Sequence, residues 1–189
     1  MIDRLSIEVI GYIKSCFTEK FGTPRQAGLV PSAKARLRLC EHFKRREMVR
    51  GLEEFSHIWI HFVFHQAMED GWKSTVRPPR LGGSRRKGVW ATRSPHRPNF
   101  MGLSVVKLEG IEFDHGVELL LTGVDLLDGT PVLDIKPYLP SSDRIERASE
   151  GWAAPELEAE MFGVRLYNIN VRWQVSGNSC LVRSCAKVG

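Results

Sequence analysis

Residues 57–65, HIWIHFVFH, alternate with a period of two: Ile58, Ile60, Phe62 and Phe64 fall on one side, and His57, Trp59, His61, Val63 and His65 on the other. Successive side chains of a strand point to opposite faces, so this spacing predicts a β-strand with one face on a core. Further short runs rich in Val, Ile, Leu and aromatics, bounded by Gly, Pro, Ser and Asp, predict strands at residues 7–13, 36–40, 88–92, 103–112, 117–124, 132–136 and 164–175. Helical periodicity is confined to a short turn at 42–48 and to 154–162, where Pro155 suits a first helical position. Strands without intervening helices argue against a doubly wound sheet, and no Gly-x-Gly-x-x-Gly follows any of them. The expected architecture is mainly β and predominantly antiparallel, a small single-domain barrel or sandwich with short helices.

The 189 residues suffice for one core. No apolar run approaches the ~20 residues of a membrane helix, and Asp3, Arg4 and Glu8 interrupt the N-terminal stretch where a signal peptide is apolar. A cytoplasmic protein without a membrane span is expected. Cys16, Cys40, Cys180 and Cys185 form no Cys-x-x-Cys pair, which predicts reduced thiols.

The net charge of +5 becomes informative once located. Residues 71–108 contain no acid but nine cations: Lys73, Arg77, Arg80, Arg85, Arg86, Lys87, Arg93, Arg97 and Lys107. The remaining 18 Lys and Arg face all 22 Asp and Glu, a net charge of −4. A local field of one sign attracts a polyanion. Within it, residues 76–88, VRPPRLGGSRRKG, combine prolines, glycines and arginines in a loop suited to phosphates. The following ATRSPHRPNFMGLS, residues 91–104, sets Arg93, His96 and Arg97 among small residues before running into an apolar strand.

Three other stretches carry candidate chemistry. His57, His61 and His65 would align on a helix, but the zinc-protease pattern needs Glu where Ile58 stands. On a strand they line one face, as structural or pocket-lining groups, and no metal is expected. In DLLDGTPVLDIKPYLP, residues 125–140, Asp128-Gly129 is a strong hairpin-turn signal. Beyond it Asp134, Lys136 and Tyr138 alternate along one strand face, an arrangement that makes sense if a ligand pairs with them. PRQAGLVPS, residues 24–32, is a loop distinguished by Arg25-Gln26.

Taken in order, PRQAGL, GLEEFSHIWIHFVFHQ, RPPRLGG, GVWATRSPHRPNFMGLS and DLLDGTPVLDIKPYLP resemble the TsaA-like, or TrmO, family of S-adenosylmethionine-dependent tRNA methyltransferases, and NINVRWQV resembles its closing strand. The resemblance implies a small β-barrel that binds S-adenosylmethionine without a Rossmann fold, as a homodimer. It also implies methylation of N6 of the threonylcarbamoyl-adenosine beside the anticodon. Residue by residue, it implies cofactor contacts at Pro24, Arg25, Gln26, His65, Gln66, Arg93, Leu103, Asp128, Gly129, Thr130 and Pro131. Asn99, Asp134, Lys136 and Tyr138 are implied on the substrate side. The implied organisation is a barrel core over 1–140, a linker and short helix over 141–162, and closing strands returning to the core over 163–189.

Two departures stand out. The family usually has Arg-Pro-Asn-Pro-Ile-Gly where this chain has Arg97-Pro98-Asn99-Phe100-Met101-Gly102, which removes one backbone constraint. Longer bacterial relatives insert a helical segment after PYLP, an interval filled here by residues 141–162 alone.

Methyl transfer needs an in-line approach of the amine nitrogen to the methyl carbon, and holding that geometry supplies much of the acceleration. Acceptors on the N6 N–H, from Asp134, the Asn99 amide oxygen or a backbone carbonyl, would localise its lone pair, so Asp134 or Asn99 is the expected acceptor and Tyr138 a stacking or positioning group. Arg77, Arg80, Arg85, Arg86, Lys87, Arg97 and Lys136 are the expected phosphate contacts to the tRNA anticodon loop, whose single-stranded bases can be splayed out cheaply. The alternative is a barrel that binds S-adenosylmethionine or RNA and transfers nothing.

Overall fold

The computed structural model describes residues 3–81, 85–114, 116–154, 161–166, 169–176 and 179–187. In chain order its strands are β1 (Gly11–Ser15), β2 (Lys34–Leu39), β3 (His57–Val63), β4 (Thr75–Val76), β5 (Lys87–Gly88), β6 (Met101–Glu112), β7 (Glu118–Thr122), β8 (Pro131–Pro137), β9 (Met161–Leu166), β10 (Ile169–Ser176) and β11 (Ser179–Lys187). The one described α-helix is a single turn, α1 (Pro140–Asp143). Among the described residues no helix is long and apolar enough to cross a membrane.

The chain divides into two compact units, Met1–Lys73 with Pro95–Arg144, and Ser74–Ser94 with Ile145–Gly189. The first is the expected barrel: a closed, antiparallel sheet in the order β1-β2-β7-β6-β3-β8. Its interior follows the sequence alternation. Ile58, Ile60 and Phe62 of β3 point inward with Ile13, Leu37, Val106, Leu119, Leu121 and Val132, all nearly or fully buried. Two bulges help six short strands close, because an extra residue bends a strand and raises its twist. Glu109 is the extra residue between β6 and β7, and Leu133 the extra residue between β8 and β3.

In the second unit β9, β10 and β11 form their own antiparallel sheet, and β4 pairs with β5. The final strands pair with one another. The single strand predicted at 164–175 is two, with Leu166 opposite Ile169. Of the helix predicted at 154–162, residues 155–160 lie outside the described residues, and Met161 and Phe162 belong to β9. The strand predicted at 88–92 stops at Gly88, and a 3₁₀ turn, Val89–Ala91, follows. There the Thr92 hydroxyl and amide both donate to the Val89 carbonyl, at 2.8 and 3.1 Å. Such a local bond competes with strand pairing.

The Asp128-Gly129 turn is not a hairpin. A two-residue hairpin of the Asn-Gly or Asp-Gly kind needs positive φ at both central residues, and only Gly129 has it, at 74°. The strand after the turn pairs with β1 and β3, never with β7. What holds the turn is β1: Gly129 N–H donates to the Ile13 carbonyl (2.8 Å) and Ile13 N–H to the Thr130 carbonyl (3.0 Å).

Candidate functional site

The antiparallel registers bring the C-terminal ends of β1, β3 and β7 to the same end of the barrel as the N-terminal ends of β2, β6 and β8. Four sequence-predicted segments of the first unit emerge there: Pro24, Arg25 and Gln26 between β1 and β2, His65 and Gln66 after β3, Asn99 just before β6, and Asp128–Pro131 by number 128–131 just before β8. Loop 16–33 is tied to its neighbours along its length. Asp128 N–H donates to the Phe17 carbonyl (2.7 Å), Lys20 Nζ to the Gln66 carbonyl (3.3 Å), and Gly28 N–H to the Gly123 carbonyl (2.8 Å). Arg25 and Gln26 are exposed while Pro24, His65 and Gln66 are half-buried, so these side chains are accessible at an anchored backbone.

The turn at 128–131 has a defined polarity. The N–H groups of Asp128, Gly129 and Thr130 are donated to the carbonyls of Phe17, Ile13 and Leu127, and Pro131 has none. Its main chain can therefore offer a ligand carbonyl acceptors and no donors. The Asp128 carboxylate accepts from Ser15 N–H and Lys14 Nζ, both at 3.0 Å. The bond from the Ser15 amide, and then that from Lys14, hold its carboxyl below the usual range. The carbonyl acceptors of the turn and the amide side chains of Gln26 and Gln66 at the same barrel end are groups that suit the ammonium and amino donors of S-adenosylmethionine, and half-exposed Leu103 offers an apolar surface.

Leu103, His61 and Asp134 stand side by side on β6, β3 and β8, all on the outward face. The register thus joins a predicted cofactor contact to a predicted substrate group through a histidine first considered as a metal ligand. Among the described residues no group of three His, Cys, Asp or Glu is arranged to hold a metal ion. Tyr138 is not brought to this end. Its N–H donates to the His57 carbonyl (3.0 Å) at the start of β3, and its ring meets Trp59 edge-on at 5.7 Å. It lies four residue steps along the chain from Asp134, about 13 Å in extended backbone. Lys136 is exposed between them, opposite Trp59. Trp59 Nε1 in turn donates to Asp143 (2.9 Å), which also accepts from Leu139 N–H (2.8 Å). The Leu139 amide first and the indole second keep the Asp143 carboxyl low.

Within the second unit Arg77, Arg85, Arg86 and Arg93 are exposed and Lys87 is half-buried, while the Arg80 side chain lies outside what is described. Arg86 donates to the Thr75 hydroxyl (2.9 Å), and Lys87 lies over the Trp152 ring at 5.9 Å. Arg97, half-buried, belongs to the first unit. Sequence reasoning missed Lys14, Ser15 and Lys20, which fix the turn and the first loop. It also missed Ser104, 6% exposed, whose hydroxyl donates to Asp125 at 3.1 Å. A serine on the inward register of β6 was the available signal.

The family model for the N-terminal domain of tRNA-methyltransferase O matches residues 12–144. A putative S-adenosylmethionine-dependent methyltransferase, RcsF, of Pseudomonas aeruginosa is 55% identical over 148 residues, 78% of this chain and 63% of that protein. The tRNA (adenine(37)-N6)-methyltransferase of Escherichia coli K12 is 54% identical over 161 residues, 85% of this chain and 68% of that protein. The chain thus spans about two thirds of the length of these relatives. A crystal structure of TrmO from Pseudomonas aeruginosa superposes with a TM-score of 0.67 at 36% identity, covering 99% of both chains. A barrel with these motifs at one end, matched over most of its length by this family's model and by relatives of more than half identity, leaves one conclusion: the chain belongs to the TrmO family.

Proposed function

We propose that this protein transfers a methyl group from S-adenosylmethionine to N6 of an adenosine next to the anticodon of tRNA, in its threonylcarbamoyl-bearing form, and that it works as a homodimer. The observation that carries the reading is the convergence at one barrel end of Pro24–Gln26 by number 24–26, the pair His65 and Gln66, and the acceptor-only turn at 128–131. The names of the relatives support the chemistry, and the basic segment supports the polyanionic substrate. The bound cofactor would supply an electrophilic methyl group on a sulfonium. The protein's part is to hold and orient. Gln26, Gln66 and the carbonyls of the turn take the cofactor's polar groups, with Leu103 on its apolar surface.

Asp134 or the Asn99 amide oxygen accepts the one N–H left on the carbamoylated N6, which turns its lone pair toward the methyl carbon, and Asp134 or water takes that proton as the methyl group replaces it. His61, between Leu103 and Asp134, positions that carboxylate. Tyr138, remote from this end within one chain, acts through Trp59 as a positioning group. The exposed arginines and Lys136 meet phosphates.

The test is incubation with methyl-labelled S-adenosylmethionine and tRNA with or without the threonylcarbamoyl group. Label on the modified RNA alone is the expected result. No label on either, with cofactor still bound, would establish a non-catalytic binding barrel, and equal label on both would remove the modified adenosine from the proposal.

A further inference from the structure

Segment Ser74–Ser94 carries an exposed aromatic that the cofactor and phosphate assignments leave unused. Trp90 is 78% exposed, more than any other large hydrophobic side chain described. An apolar surface of that size facing water is costly, and nothing local makes the position floppy enough to hide it. Its backbone is fixed on both sides. Val89 is buried at 4% exposure, and its N–H donates to the Ser74 carbonyl at 3.0 Å. The Ala91 carbonyl accepts from the indole of Trp152 at 2.9 Å, and the Thr92 amide and hydroxyl close the turn on the Val89 carbonyl. The same second tryptophan underlies Lys87. Trp90 is thus presented outward from a pinned 3₁₀ turn, in a segment with Arg77, Arg80, Arg85, Arg86, Lys87 and Arg93 and no acid.

An aromatic face set among cations matches one class of ligand: a single strand of nucleic acid, whose phosphates meet the cations and whose bases stack on the ring. An apolar peptide would leave the six cations without a role, and a duplex would hide its base faces. We propose that Trp90 is a stacking platform for an unpaired base of the RNA substrate. This rests on the tRNA reading above and adds to it a specific base-binding residue.

The experiment compares wild type with Trp90→Ala and Trp90→Phe, using an anticodon stem-loop oligonucleotide, across a series of salt concentrations. Trp90→Ala is expected to weaken RNA binding by about 5- to 150-fold, the range for removing one stacked base. Trp90→Phe should recover most of the affinity. The slope of log affinity against log salt should stay unchanged in both, since no cation is lost. Indole fluorescence should be quenched by the oligonucleotide in wild type and much less so in Trp90→Phe, a readout that does not depend on the alanine variant folding. Affinity of Trp90→Ala within twofold of wild type, or quenching unchanged in Trp90→Phe, overturns the platform. Methyl transfer by the wild-type protein is measured alongside: if it fails while the binding differences stand, the fault lies with the proposed activity and the platform survives.

Discussion

Gly102 sits on the inward register of β6 directly opposite Phe62 of β3. A Cβ at this position would meet three atoms of the Phe62 ring, Cζ, Cε2 and Cε1, the last at 2.8 Å. Real Cβ atoms do not approach so closely, and the ring has little room to yield. Phe62 is 5% exposed and held edge-on by Phe64 at a centroid separation of 5.0 Å. Gly102→Ala is therefore an overpacking substitution, expected to destabilise by about 1–3 kcal/mol. In a protein of this size that lowers the melting temperature by roughly 2–4 °C per kcal/mol. The partner is known, so the mechanism can be tested as a cycle. Phe62→Leu removes the ring atoms that the new methyl would strike, and in that background the cost of Gly102→Ala should fall by about 1 kcal/mol or more. Urea titrations of the four proteins, read at constant slope, give the coupling. The strain should also travel, since Phe64 immediately precedes His65 and Gln66. Cofactor affinity by calorimetry should drop in Gly102→Ala and return in the double variant. Strictly additive costs, or a single variant as stable as wild type, would falsify the packing argument.

Asp128→Ala should cost about 1–2 kcal/mol, since it leaves the half-buried Ser15 amide without its acceptor; the exposed Lys14 partner adds little. Because the folded Asp128 carboxyl is held low by Ser15 and then Lys14, its contribution is present above the unfolded value of about 3.9 and is lost as pH falls through the lower folded value. The stability gap between wild type and Asp128→Ala, followed by denaturation from pH 7 to pH 2, should narrow below pH ~4 and not above it. Asn99→Ala and Asp134→Asn should each lower kcat about tenfold or more with cofactor affinity unchanged, in single-turnover assays, if both groups contact the single N6–H of the target. Arg77→Ala with Arg85→Ala should reduce the salt slope of RNA binding by about 2. Trp152→Phe should destabilise by about 1 kcal/mol in a melt, through the lost bond to the Ala91 carbonyl.

The barrel was legible because its strands bury one face only. Alternation at Ile58, Ile60 and Phe62 survives into burial almost residue by residue, and the same holds for Ala35 and Leu37 of β2. Legibility failed where pairing partners decide the outcome. Asp128-Gly129 reads as a hairpin from its two residues, but its turn is held by Ile13 and Phe17, more than a hundred positions away. Residues 164–175 read as one strand because apolar residues recur at every second position on both sides of the break, Val164 and Leu166 before it and Ile169, Val171, Trp173 and Val175 after it, while β11, with Arg183, Ser184 and two cysteines, gives no clean alternation at all. The residues proposed for the cofactor side come from resemblance. The bonds that fix them, from Lys14 and Lys20, leave no sequence pattern because surface lysines are common.

The departure at Phe100 turns out differently from its sequence reading. Where the family has proline, loss of that ring implies a looser backbone, yet residues 99 and 100 both adopt positive φ, 65° and 52°. Asparagine tolerates this region, but for phenylalanine it costs about 1–2 kcal/mol. Proline is fixed near φ −65° and could not stand here at all, nor could it make the bond from Phe100 N–H to the Arg97 carbonyl (3.0 Å). The Phe100 carbonyl accepts from Phe64 N–H (2.8 Å), which ties the entry of β6 to the exit of β3. A left-handed pair persists only where its surroundings over-determine it, and these two bonds, with the long β3–β6 ladder behind them, do so. The loop has exchanged a covalent constraint for a hydrogen-bonded one. Exposed Asn99 is held at the junction between the strand that leads to His65 and Gln66 and the strand that carries Leu103, so the pairing of β3 with β6 stiffens the loop at that junction.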